Sequence, residues 1–182
     1  MMPRIWAIAA VTLDGKIARH ASHATDWTSP EDKAFMRSLL DASDVIVVGR
    51  NTFDAAKEPL SKRNCIVLTR SVSGATRQND RLIYANADDV ALSELLKPYR
   101  AVAVLGGTQI YTLFLRHGLL DDLYLTIEPI AFGDGLPLFA HADIEPIAFD
   151  LVACKPLNNR GSILLHYRRA EGRRQPSPLT RQ

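Results

Sequence analysis

The residues best placed to do chemistry lie in one stretch, Asp26-Trp27-Thr28-Ser29-Pro30-Glu31-Asp32. It closes a polar loop and opens an amphipathic helix. Asp32 falls in the first turn of that helix, where a carboxylate would face whatever fills a cleft above a sheet. The same residues also have a purely structural reading. Ser29 is a good N-cap, Pro30 suits the first helical position, and Asp32 stands three residues after the cap, as in a capping box. The helix dipole favours an acid there in any case, and local sequence alone puts capping ahead. Trp27 could belong to the core or could wall a pocket for a flat ring.

Three more segments join a strand end to a turn: Val48-Gly49-Arg50-Asn51-Thr52, Leu68-Thr69-Arg70-Ser71 and Leu105-Gly106-Gly107-Thr108-Gln109. Ligands of open α/β sheets bind at the carboxyl ends of strands. Helix N-termini there suit phosphate. Gly106-Gly107 lets backbone approach a ligand closely, and Arg50 and Arg70 could pair with phosphates. Any one of these turns is an ordinary connection. Three together, two of them carrying Arg, point to a phosphorylated dinucleotide. A Gly-x-Gly-x-x-Gly fingerprint and a Walker A motif are both absent. Serine-nucleophile and metalloprotease motifs are absent too. His20, His23, His117, His141 and His166 show no ligand spacing, so no metal is expected.

These segments need a scaffold. Short unbroken apolar runs at 4–11, 45–48, 65–68 and 101–105 predict buried strands. Shorter or mixed runs at 16–18, 82–84 and 123–130 predict further strands, and 149–157 with 162–168 predict a hairpin around Asn158-Asn159-Arg160-Gly161. A helix follows Ser29, with Phe35, Met36, Leu39 and Leu40 as its apolar stripe. Further helices are expected over 52–56, stopped by Pro59, over 87–98, started by Asp88, and over 108–117, ended by Gly118. Residues 71–80 and 133–139 read as loops. Strands alternating with helices and closed by a hairpin predict a three-layer α/β domain, with a mostly parallel sheet of about eight strands and an antiparallel C-terminal hairpin.

At 182 residues one domain is expected, here 1–170, followed by a basic tail over 171–182. A net charge of +2 argues against a nucleic-acid partner. No apolar run approaches the roughly 20 residues needed to span a bilayer, and no signal peptide is visible, so a cytoplasmic protein without a membrane partner is expected. Cys65 and Cys154 each sit in an apolar run and read as buried small hydrophobes.

Taken together, these segments resemble the dihydrofolate reductase superfamily, including the reductase domain of riboflavin biosynthesis proteins. Trp27-Thr28-Ser29-Pro30-Glu31-Asp32 is similar to the superfamily's Trp-x-x-Pro-x-Asp, whose last residue is the active-site acid. Val48-Gly49-Arg50-Asn51-Thr52 resembles its Gly-Arg-x-Thr cofactor turn, and Gly106-Gly107-Thr108-Gln109-Ile110-Tyr111 its Gly-Gly-x-x-x-Tyr turn. Asp122-Leu123-Tyr124-Leu125-Thr126 resembles the strand whose Thr supports the acid. The resemblance implies NADPH as hydride donor. Arg50, Thr52, Thr69 and Arg70 would hold its adenosine phosphates, with Leu68 beside them. Gly49, Gly106, Gly107, Thr108, Gln109 and Ile110 would line the pyrophosphate, and Ala10 and Ile17 the nicotinamide. It implies Asp32 and Thr126 as catalytic residues, and Trp27, Asp32, Met36 and Arg63 as contacts of a pterin. Lys62-Arg63 lies one residue short of where folate enzymes keep an Arg for the glutamate tail, so dihydromethanopterin stands beside dihydrofolate as substrate. Asp14-Gly15-Lys16-Ile17-Ala18 and Gly133-Asp134-Gly135-Leu136-Pro137-Leu138-Phe139 look more like the riboflavin branch, where a ribosylaminopyrimidine is reduced. A nucleotide-binding protein without reductase activity is the third alternative. The resemblance implies a monomer or a homodimer, since the riboflavin branch tends to dimerise whereas folate enzymes are often monomers.

Overall fold

Strand β1 (Arg4–Val11) alternates between two apolar cores, and the layers follow from that alternation. Ile5, Ala7 and Ala9 face one side, Trp6 and Ile8 the other. A strand apolar on both faces has to be covered on both. In the computed structural model, which describes residues 2–141 and 144–170, two helical layers do so. Helices α1 (Pro30–Asp41), α2 (Arg50–Ala55) and α3 (Lys57–Leu60) bring Leu40, Phe53 and Leu60 to the Trp6 side. Helices α4 (Leu92–Leu96) and α5 (Thr108–Arg116) bring Leu92, Leu96, Tyr111 and Phe114 to the Ile5 side.

The remaining strands are β2 (Lys16–Ala18), β3 (Val45–Gly49), β4 (Cys65–Leu68), β5 (Ala75–Asn79), β6 (Leu82–Ala85), β7 (Ala101–Val104), β8 (Asp122–Ile127), β9 (Leu136–Pro137), β10 (Phe149–Pro156) and β11 (Ile163–Arg169). The central sheet has nine strands in the order β10-β11-β8-β1-β7-β3-β4-β6-β5. Neighbours from β8 across to β6 are parallel. The β10–β11 hairpin adds antiparallel to β8, and β5 adds antiparallel to β6. This is the three-layer, mostly parallel sheet with an antiparallel C-terminal hairpin that the pattern predicts. The expected tail over 171–182 lies outside the described residues.

Several local expectations are corrected. Residues 71–80 are not all loop, since Ala75–Asn79 forms an edge strand whose every residue is exposed and so shows no apolar period. The helix expected over 87–98 is only α4. Asn86 holds the preceding segment in a turn, its carboxamide oxygen accepting from Asp88 N at 3.1 Å, so Asp88 caps nothing and the helix starts after Ala91. Pro59 does not stop a helix but sits inside the single turn α3, where the early N–H groups have no intrahelical partner to lose. Strand 123–130 gives way at Ile127, two residues before Pro129. Leu136–Pro137, expected as loop, pairs with β2. Cys65 is buried as expected, but Cys154 is exposed, because β10 is an edge strand open on both faces.

Asp122, at the start of β8, is a buried charge with three partners. Its carboxylate accepts from Arg4 Nε at 2.8 Å, pairs with His166 Nε2 at 2.7 Å, and accepts from Arg168 Nε at 3.2 Å. Burial pushes the Asp122 pKa up, but the donors from Arg4 and His166 outweigh it and hold the group below its ordinary 3.8. A carboxylate depressed in the folded state stabilises the fold above the ordinary value and loses that contribution as pH falls through the folded one. Urea unfolding across acid pH is therefore expected to lose stability below 3.8 in the wild type. This part of the slope should be missing in Asp122→Asn. Identical acid slopes would contradict the role.

Candidate active site

The parallel strands end on one edge of the sheet, and that edge carries Ala10, Gly49, Leu68, Gly106 and Thr126. Helix α1 begins there as capping chemistry predicts. Ser29 is the N-cap, Pro30 follows, and Ser29 Oγ accepts from Asp32 N at 3.2 Å. The return bond of a capping box is not made. Ser29 N donates instead to Glu128 Oε1 at 2.7 Å. The Asp32 carboxylate is thereby left to the hydroxyl of Thr126, which favours its charged form, while the Thr28 hydroxyl donates to Thr25 O at 3.3 Å. Asp32 is only 7% exposed. Burial raises its pKa above the ordinary carboxylate range, the Thr126 hydroxyl opposes this, and the charge of Glu128 adds to the rise.

Strand register places Ala10 directly beside Thr126. Met36 lies one helical turn after Asp32 on the same face and is half-buried. Tyr111 comes in from α5. Its hydroxyl donates to Ile8 O at 2.5 Å, and burial together with the charge of Asp32 pushes its pKa up. Trp27 meets Phe132 edge-on at 5.1 Å, with the Arg19 guanidinium 4.5 Å from the Phe132 ring centre. The Trp27 Nε1 is buried and has no hydrogen-bond partner among the described residues.

The two glycine turns are joined to each other. Gly49 N donates to Gly106 O at 2.8 Å, and the Gly106–Gly107 peptide is cis. Side chains are excluded on the protein side: a Cβ on Gly49 would lie 3.0 Å from Ile110 Cγ1. Gly107 is the meeting point of Thr52 and Ile17, which lie 3.6 and 4.0 Å from where its Cβ would be. Neither α2 nor α5 has a side-chain cap. Thr108 Oγ1 donates to Pro137 O at 2.5 Å, and Gln109 is exposed beside it. That bond ties α5 to the small β2–β9 ribbon. Asp14, just before β2, holds the segment that leads into β9, accepting from Thr12 Oγ1 at 2.6 Å, Phe132 N at 3.1 Å and Gly133 N at 2.8 Å. Those donors, Thr12 foremost, lower its pKa to about 2.

Further along the edge, Arg50 Nε sits 2.7 Å from Asp54 and its guanidinium 5.1 Å from the Tyr84 ring centre. Thr69 Oγ1 is 3.0 Å from Ser71 Oγ, and the exposed Arg70 is 3.4 Å from Asp88. Arg63 stands apart from all of these. It precedes β4, at the opposite end of the strand, and pairs with Asp41 at 2.6 Å at the last residue of α1. At about 1.5 Å per residue, that is roughly 14 Å along the helix from the Asp32 position.

Sequence reasoning missed Thr28, Phe132, Ser162 and Glu128. Glu128 left a signal, an acid two residues beyond Thr126 in the run read as a strand over 123–130, although the strand itself ends at Ile127. Thr28 lay inside the motif that carries Asp32, and Phe132 and Ser162 left none. Among the described residues no cluster of His, Cys, Asp and Glu could hold a metal ion, and no helix is long and apolar enough to cross a membrane.

Comparison with known proteins gives this geometry a family. The Dihydrofolate reductase family matches residues 4–141. YwjB of Bacillus subtilis (strain 168), itself uncharacterized, is 26% identical over 171 residues, which cover 88% of this chain and 95% of YwjB. The Thermotoga maritima diaminohydroxyphosphoribosylaminopyrimidine deaminase/5-amino-6-(5-phosphoribosylamino)uracil reductase superposes with a TM-score of 0.72 at 22% identity, over 93% of this chain and 57% of that one. Dihydrofolate reductase from Enterococcus faecalis, solved with NADP(H), superposes with a TM-score of 0.62 at 24% identity, over 91% and 96% of the two chains. The two superpositions establish a common fold. The family match covers most of the chain and takes in Asp32, Thr126 and both glycine turns, so the chain belongs to the dihydrofolate reductase family and is a reductase of that kind.

Proposed function

We propose that the protein reduces a dihydropterin, with NADPH as hydride donor and Asp32 as the substrate-anchoring acid. The basis is one buried carboxylate at the strand-end edge, beside the Thr126 hydroxyl and flanked by the glycine turns. A pterin offers neighbouring amino and ring N–H donors, and the two oxygens of a carboxylate can pair with both. Burial brings the acid closer to neutrality, where it can hold a proton for the ring nitrogen. The substrate's C=N bond gains a hydride on carbon and that proton on nitrogen, while the nicotinamide is oxidised. Thr126 keeps the acid in place, and Trp27 and Met36 flank the ring.

NADPH, when bound, supplies the hydride. The chain fits it at three places. Ala10 and Ile17 border the strand end beside Thr126 and Gly107. Gly49, Gly106, Gly107, Thr108, Gln109 and Ile110 form a backbone cradle at the uncapped start of α5, suited to a pyrophosphate. Arg50, Thr52, Leu68, Thr69 and Arg70 lie at the ends of β3 and β4, where the adenosine phosphates would be held. Arg63 would meet only a substrate that runs the length of α1. Arg70→Ala is expected to weaken NADPH binding by roughly tenfold, and NADH much less, because only NADPH carries the extra phosphate. Fluorescence titration with both nucleotides measures this, and equal losses would contradict the assignment.

A second reading has its own support. The two segments that resemble the riboflavin branch, Asp14 to Ala18 and Gly133 to Phe139, pair with each other through β2 and β9 beside the cleft. The fold also matches the Thermotoga maritima enzyme. In that reading the reduced centre is a sugar carbon of a ribosylaminopyrimidine. NADPH oxidation followed in parallel with dihydrofolate, dihydromethanopterin and the ribosylaminopyrimidine separates the two. Turnover of a dihydropterin is expected. Oxidation with the pyrimidine alone would select the second reading, and oxidation with none would leave a nucleotide-binding protein.

A further inference from the structure

Glu128 is a buried carboxylate beside the cleft to which the proposed reaction assigns no part. It is 4% exposed. Both of its oxygens are acceptors: Oε1 takes the Ser29 N–H at 2.7 Å, and Oε2 takes the Ser162 hydroxyl at 2.5 Å. Acceptance at both oxygens is the pattern of an ionised carboxylate. Its partners lie on two different elements. Ser29 caps α1, and Ser162 leads into β11. The hairpin turn reaches α1 a second time, with Asn158 Nδ2 3.1 Å and the Arg160 guanidinium 3.3 Å from Glu31 Oε2. That outer clamp is exposed and contributes little. The inner one, Glu128, follows directly after β8, two residues past Thr126, and its charge bears on Asp32.

We propose that Glu128 is a positioning residue for Asp32: it fixes the first turn of α1 through the Ser29 amide and sets a lasting negative charge beside the Asp32 carboxylate. The role in turnover rests on Asp32 being the substrate-anchoring acid, but the electrostatic coupling does not. The groups facing Asp32 are few. Lys33 comes from its own helix, Thr28 from the preceding loop, Thr126 from β8, Glu128 from the residue just after that strand, and Tyr111 from α5. Burial and Glu128 favour its protonated form, and Thr126, Thr28 and Lys33 oppose them. Glu128 thus helps keep a proton on the acid at a pH where an unassisted carboxyl would have lost it.

Glu128→Gln tests the charge with little change of shape. The amide keeps an oxygen for the Ser29 N–H and loses the charge, while the bond with Ser162 Oγ reverses, the amide N–H now donating. The readout is the titration of the Asp32 carboxyl carbon by carbon-13 NMR in the substrate-free protein. The midpoint is expected to move to lower pH in Glu128→Gln and to stay up in Glu128→Asp. The alkaline limb of kcat/KM should move the same way, with NADPH affinity unchanged. In the wild type, the Glu128 carboxyl carbon should show a displacement at the pH where Asp32 titrates, a measurement that needs no variant to fold. An unmoved or raised Asp32 midpoint in Glu128→Gln, an equal fall in the Asp variant, or no displacement at Glu128 would overturn the proposal. Retained turnover in Asp32→Asn would overturn the proposed function instead, leaving the NMR coupling untouched.

Discussion

Asp32→Asn is expected to cut dihydropterin turnover by on the order of a hundredfold or more while leaving NADPH affinity unchanged. Asn matches Asp in size and can still accept one hydrogen bond from Thr126. It loses the second acceptor oxygen and the transferable proton. The cradle proposed for the cofactor begins across the cleft at Gly49 and Gly106, which contact each other rather than Asp32. Stability should respond as well, and its sign is fixed. The Asp32 pKa is raised in the folded state, so its contribution is full below the ordinary carboxyl value and lost as pH rises through the folded one. A side chain that does not titrate escapes that loss. Denaturant melts should therefore show Asp32→Asn gaining on the wild type as pH moves from acid to neutral, the trade often found at active sites. Unchanged turnover, or a parallel loss of NADPH binding, would contradict the role.

Gly106→Ala is expected to cost about 2–4 kcal/mol of stability and to abolish NADPH binding. Gly106 has φ +95°, which side chains rarely adopt, and a Cβ there would lie 2.7 Å from the Tyr111 ring. That ring cannot swing away, because it is buried and its hydroxyl is bonded to Ile8 O. The turn cannot shift alone either, since Gly106 O accepts from Gly49 N in the neighbouring turn. Gly15→Ala is the control. It has φ +74° but nothing within 4 Å of its Cβ, so only the backbone term of about 1–2 kcal/mol applies. Urea unfolding of both variants separates crowding from backbone strain, and equal losses would contradict the packing of Tyr111 under the turn.

The sheet was readable because β1, β3, β4 and β7 are covered on both faces and therefore leave unbroken apolar runs. Strand β5 was not, because an exposed edge strand carries no such run. Helix α4 was overestimated because the apolar spacing continues through a segment that Asn86 holds in a turn. At the site, the start of α1 was plain from Ser29 and Pro30, and for that reason Asp32 could pass for a cap. The bond that departs from a capping box runs from Ser29 N to Glu128, 99 residues away in the chain. No local window contains that bond. The glycine turns were visible as residue types, but their contact with one another is a product of β3 and β7 lying side by side. Arg63 shows the reverse case, a residue placed by motif alone and found tied to Asp41 at the far end of α1.

The most direct measurement is single-turnover transfer from NADPH deuterated at its transferable position, with wild-type protein in excess and a dihydropterin as acceptor. Mass spectrometry of the product is predicted to show deuterium on the ring carbon of the tetrahydropterin in the wild type, with its formation nearly lost in Asp32→Asn. Unlabelled or unreduced pterin in the wild type, or label delivered equally well by Asp32→Asn, would contradict it.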